Sequence, residues 1–212
     1  MIQNNIKEFI GKKCYETFAK LQIDPECSKL LLSKTIGVAI VAGGAFAKVP
    51  QIANIVNSSS AQGVSLSSYG METAAYCINL AYNYRHRNPF NTYGETFFLT
   101  LQNFIVIYLI LKYNKQNMLA LVIAFLAAAF NLALHSNEYV NNSKMIMLQA
   151  ITIPLCLVSK VPQIYQNYKN CSTGTLSAIT VFSYFLGSLA RIYTTQQEVN
   201  DPLIMWGFIR KR

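Results

Sequence analysis

This sequence predicts an all-α polytopic membrane protein built from two similar halves, and three observations predict it. Charge is scarce: 13% of the 212 residues are charged against 52% hydrophobic, about half the charged fraction of a soluble domain. The charges are also segregated, leaving apolar blocks of about 18 to 25 residues, the length at which a helix crosses some 30 Å of hydrocarbon. Finally, one phrase occurs twice, as Lys48-Val49-Pro50-Gln51-Ile52 and Lys160-Val161-Pro162-Gln163-Ile164, at a constant offset of 112 residues. Each copy lies late in an apolar block and is followed by a polar loop with a glycine, the signature of an internal duplication.

Residues 1–30 form an amphipathic N-terminal segment. Lys7, Glu8, Lys12, Lys13, Glu16 and Lys20 interrupt any signal-peptide core. Ile2, Ile6, Phe9, Ile10, Phe18 and Leu21 recur at helical spacing, which suits a helix in the headgroup region or one packed on the protein. Asp24-Pro25 ends it.

Residues 31–113 make the first repeat, with spans at 31–57, 66–84 and 93–113. Gly37, Gly43 and Gly44 let the first span approach its neighbours. Pro50 removes a backbone hydrogen bond and kinks that span, and Gln51, whose amide both donates and accepts, is placed to bridge the gap. Glu72 stands in the second span with no basic residue near it in sequence. It either faces the bundle interior, protonated, paired or hydrated, or reaches headgroup water from one turn inside the interface. Gln102 and Asn103, near the centre of the third span, read best as hydrogen-bonding glue between helices, with Gln102 also a candidate substrate contact beside Lys48, Lys160, Glu72 and Arg191.

Residues 114–144 hold a linker helix and its loops; the block at 117–136 is the most apolar in the chain, with Asn131 its polar interruption. The second repeat occupies 145–212. Its first span, 145–168, carries Pro154 and Pro162 and should be the most broken; its second, 176–195, carries Arg191 near its end. The apolar run 203–209 is too short to span, so about six complete transmembrane helices are expected, with the seventh apparently truncated.

The formal net charge is +9, but Lys and Arg cluster before and between apolar blocks, where they suit anionic headgroups rather than nucleic acid. The five cysteines, Cys14, Cys27, Cys77, Cys156 and Cys171, are odd in number and show neither a C-x-x-C pair nor a histidine at ligand spacing, so no disulfide framework, metal site or cofactor is read. An enzyme is not expected: no nucleophile has an adjacent base, and there is no acidic cluster or phosphate-cradling glycine loop.

The twice-repeated phrase, with its polar loop and following Leu-Ser, resembles the PQ-loop repeat family of membrane proteins, whose fold is two three-helix bundles joined by a linker helix. Relatives include lysosomal amino-acid exporters, and the SWEET sugar transporters share the architecture. The run from Gly174 to Ile192, ending in Glu198 and Asp201-Pro202-Leu203, together with Gly94-Glu95, is similar to the mannose-P-dolichol utilization defect branch of that family. This resemblance implies a multi-pass endoplasmic-reticulum protein needed for the use of dolichol-phosphate-mannose and dolichol-phosphate-glucose in N-glycan, GPI-anchor and protein mannosylation pathways. Membrane lipid, these lipid-linked sugars and the glycosyltransferases that consume them are then the expected partners.

On this reading Pro50-Gln51 and Pro162-Gln163 are two hinges around a polar cleft. Lys48 and Lys160 either meet a dolichol phosphate or snorkel toward headgroups. Glu72 and Arg191 are expected to pair between the repeats. The rival expectation is a proton-coupled carrier of a small solute, with Glu72 as proton carrier and Gln51 and Gln163 as gates. Orientation is open: the Lys and Arg count favours a cytoplasmic N-terminus, whereas the family resemblance implies the reverse.

Overall fold

The computed structural model describes residues 10–20, 24–61, 64–158, 178–199 and 204. Every regular element among them is a helix: α1 (Lys12–Ala19), α2 (Pro25–Phe46), α3 (Val49–Ser58), α4 (Leu66–Arg85), α5 (Phe90–Tyr113), α6 (Asn117–His135), α7 (Asn142–Val158) and α8 (Ala178–Glu198). Among the described residues, three stretches are long and apolar enough to cross a membrane: Pro25–Ser58, Phe90–Tyr113 and Asn117–His135. Helix α4 is 20 residues long, enough for about 30 Å, but it carries Glu72, Asn79 and Asn83, whose side chains are all hydrogen-bonded inside the protein.

The chain divides into two compact units, Val41–Leu155 and, from both ends of the chain, Met1–Ile40 with Cys156–Arg212. In the terminal unit, Asp24-Pro25 starts a helix as well as ending the amphipathic segment. Pro25 occupies the first turn of α2, where its missing N–H is no loss, and the Asp24 carboxylate accepts the Glu26 N–H at 3.1 Å. Helix α2 therefore begins earlier than the expected 31. Cys14 of α1 and Cys27 of α2 form a disulfide, a pairing that could not be read from the spacing of the five cysteines. In the same unit, Glu198 of α8 accepts the Ser33 hydroxyl at 2.9 Å and lies 3.5 Å from the Lys34 ammonium.

In the central unit α4 packs along α5. One core joins the end of α3 to the end of α5: Ile55, Ala61, Val106, Leu109 and Ile110 are buried, with Ile52, Val64, Leu66 and Tyr69 against them. Helix α6 is tied at its C-terminal end by Arg85, whose guanidinium donates to the carbonyls of Val140 (2.6 Å), Ser136 (2.9 Å) and Leu134. These are the carbonyl groups that a helix end and the turn after it leave unsatisfied. Asn131 of α6 turns inward to Cys77 of α4, while Leu121, Phe125 and Leu132 are exposed, the apolar surface that a lipid-facing helix presents. Helix α7 runs through Pro154 without interruption. The first expected break of the second repeat is thus a helical proline; Pro162, with Lys160 and Gln163, lies outside the described residues.

Candidate functional site

The first copy of the repeated phrase marks a full interruption rather than a kink. Helix α2 stops at Phe46 and α3 starts at Val49, with a turn at Ala47 and Lys48 between them. Pro50 lies in the first turn of α3, where no intrahelical donor is needed. Lys48 has φ −105° and ψ 0°, off the helical values, so its N–H leaves the ladder.

That N–H is taken by α5. The Oε1 of Gln102 accepts it at 2.7 Å, while Nε2 of the same amide donates to the Gly44 carbonyl on the other side of the break at 2.8 Å and to Phe98 of its own helix at 3.0 Å. Gln102 is buried, and its amide restores across two helices what the interruption removes from one. The expectation that Gln51 does this is corrected: the Gln51 amide oxygen accepts the Tyr69 hydroxyl at 2.6 Å. The close approach that makes Gln102 effective depends on Gly44, where an added Cβ would lie 2.7 Å from the Glu95 Cβ and 3.0 Å from its Cα.

The side chain of Lys48 is gripped by the next residue of α5. Its ammonium donates to Asn103 Oδ1 at 2.6 Å and to Glu72 Oε2 at 2.6 Å. Asn103 Nδ2 closes the triangle by donating to the same carboxylate oxygen at 3.0 Å. The other oxygen of Glu72 accepts the Tyr76 hydroxyl at 2.9 Å, and the ammonium lies 4.7 Å from the centre of the Tyr69 ring, within cation–π range. Asn103 is fully buried, and the Lys48 side chain is 15% exposed. The Glu72 side chain is 38% exposed; an ammonium as buried as that of Lys48 persists only when paired and hydrogen-bonded, and it is both.

Beside this cluster, the outer end of α3 borders an open cavity of about 560 Å³ whose polar lining comprises Gln51, Asn54, Asn57, Ser58 and Ser60. Gln51 belongs to both features, lining the cavity and bonding Tyr69.

Of the residues singled out from sequence, Lys48, Pro50, Gln51, Glu72 and Gln102 come together in the central unit. Arg191 belongs to the terminal unit, buried on α8, and within the central unit Glu72 is paired with Lys48. The residues that sequence reasoning missed are Asn103 as a ligand of both charges, and Tyr69 and Tyr76. The tyrosines stand three residues before and four after Glu72, one face of a helix, and that spacing was the available signal.

Comparison with known proteins agrees with the two-repeat reading. The PQ loop repeat model matches residues 32–92 and 145–204. Solute carrier family 66 member 3 of Homo sapiens is 29% identical over 164 residues, covering 76% of this chain and 78% of that protein. No solved structure matches the chain. With both copies of the phrase inside the matched segments and a broken first helix, this chain is a multi-pass membrane protein of the PQ-loop repeat family.

Proposed function

We propose that the chain is a membrane carrier for a small, net-neutral polar solute, with Glu72 as the group that takes up a coupling proton. The observation that supports this is the Lys48–Glu72–Asn103 triangle placed directly at a helix break. Interrupted helices leave backbone groups for binding in secondary transporters, and a neighbouring ammonium and carboxylate can exchange each other for the opposite charges of a zwitterion. The Homo sapiens relative carries the name of a solute carrier. A carrier of this kind performs no covalent chemistry, so we assign no enzymatic activity.

The test is uptake by the reconstituted protein. Proteoliposomes under an imposed pH gradient should accumulate a neutral amino acid or a hexose, and Glu72→Gln should keep counterflow exchange while losing gradient-driven accumulation. Equal accumulation by Glu72→Gln would remove the proton role.

A second reading keeps the chain in the endoplasmic reticulum as a factor for dolichol-phosphate-mannose and dolichol-phosphate-glucose use, acting with glycosyltransferases. It is favoured by the run from Gly174 to Ile192 with its trailing Asp201-Pro202-Leu203. Against it stands the pairing of Lys48: a phosphate would have to displace a carboxylate 2.6 Å from the ammonium. Transbilayer movement of a labelled dolichol-phosphate sugar in the same proteoliposomes separates the two.

A further inference from the structure

We propose that the polar cavity at the end of α3 is the entrance to the Lys48–Glu72 pair, and that Tyr69, held shut by Gln51, is the gate between them. This inference rests on the carrier reading and names its route and ligand class. Gln51 lines the cavity and accepts the Tyr69 hydroxyl at 2.6 Å. The face of that same ring carries the Lys48 ammonium at 4.7 Å. The Tyr69 ring therefore stands between Gln51 of the cavity wall and the Lys48 ammonium, and one hydrogen bond fixes its position. Tyr76 and Glu72 lie farther along α4, away from the loop that borders the cavity.

The cavity lining specifies what enters. Gln51, Asn54 and Asn57 offer amides and Ser58 and Ser60 hydroxyls, groups that both donate and accept, and no charged residue lines it among the described residues. An anion arriving alone would lose its hydration without meeting a cation. The pair behind the gate has no net charge either, since Lys48 and Glu72 compensate each other. Entrance and pair thus agree on a net-neutral hydrogen-bonding solute, either uncharged or zwitterionic.

Cysteine modification tests the gate without requiring transport. In a background with Cys77, Cys156 and Cys171 changed to Ser, Asn54→Cys reports the cavity and Tyr76→Cys the space behind the gate. The probe is the membrane-impermeant 2-(trimethylammonium)ethyl methanethiosulfonate. Asn54→Cys should react rapidly whatever stands at 69. Tyr76→Cys should react slowly with Tyr69 in place, about fivefold faster with Tyr69→Phe, the factor one neutral hydrogen bond is worth, and faster still with Tyr69→Ala. Equal rates at Tyr76→Cys in the Tyr69 and Tyr69→Phe backgrounds would overturn the gate, and the Phe variant retains the ring, so the result stands even where Ala impairs folding. Glycine or glycerol should slow modification of Asn54→Cys, and inorganic phosphate should not. Protection by phosphate, or by none of the three, would overturn the ligand class. A chain that is gated yet transports nothing keeps the gate and loses the carrier reading.

Discussion

The backbone N–H of Lys48 is bonded by Gln102 of a different helix, at 2.7 Å, and the neighbouring Asn103 holds the ammonium of the same lysine at 2.6 Å. Two consecutive residues of α5 thus grip one hinge residue by its two ends, and the hinge cannot turn without releasing at least one of them. The break in the first span is consequently a fixed joint in this state.

Replacing Gln102 tests that joint. Gln102→Leu fills a similar volume but leaves the Lys48 N–H without its partner and the Gly44 carbonyl with only the long bond from the Ala47 N–H at 3.4 Å, and a buried unsatisfied group costs about 1–3 kcal/mol. The expected outcome is a lower midpoint of thermal unfolding in detergent. Gln102→Glu, which keeps an acceptor for Lys48 but sets a buried carboxylate oxygen against the Gly44 and Phe98 carbonyls, should fall no higher than Leu. An unfolding midpoint for Leu equal to the parent's would show that water replaces the amide.

The ion pair is expected to behave as a unit. Removing Lys48 alone, as Lys48→Met, leaves the Glu72 carboxylate among Asn103 and Tyr76 with no cation. Removing both charges, as Lys48→Met with Glu72→Gln, relieves that penalty. The double variant should be more stable than Lys48→Met, with a coupling on the order of 1 kcal/mol, kept modest because Glu72 is partly exposed. The check is a double-mutant cycle of unfolding midpoints, and strict additivity would mean the two groups do not compensate each other.

Gly44 and Gly43 are adjacent in sequence but meet different surroundings. A Cβ at Gly44 would press on the Cβ and backbone of Glu95, whereas one at Gly43 meets nothing within 4 Å. Gly44→Ala should therefore push α2 from α5 and destabilise by about 1–3 kcal/mol, and also lengthen the Gln102 bridge. Gly43→Ala should be neutral or slightly stabilising, because alanine is the better helix former. The comparison is made by detergent unfolding of the two variants side by side.

Much of this was legible because the membrane imposes strong rules. Spans follow from runs of apolar residues, and the break follows from Pro50, both local properties. The partners across the break were not legible. Gln51 is the nearest amide in sequence, yet the interruption falls two residues ahead of Pro50, and there the open N–H meets α5, where Gln102 waits 54 positions later. Glu72 looked unpaired for the same reason: its cation Lys48 stands 24 positions earlier, at the break, and the pairing leaves no mark in local composition. Cys14 and Cys27 showed no recognised spacing, and it is the fold that brings their Cα atoms to 5.2 Å.

That disulfide is the last quantity open to direct test. It joins α1 to the first turns of α2 across 13 positions, and closing a loop of about 15 residues contributes roughly 3 kcal/mol through the unfolded chain. Because such bonds persist on the oxidising side of a membrane, they also report which side the N-terminal segment occupies. Protein denatured without reductant should take up two fewer thiol-reactive polymer adducts than reduced protein, and Cys14→Ser should remove that difference. Reduction should release α1 first, so limited proteolysis near residue 20 should quicken while the central unit stays protected. If both thiols label without reduction in native membranes, the segment faces the reducing side and the charge-based orientation, with the N-terminus in the cytoplasm, gains the support that the disulfide otherwise gives to its opposite.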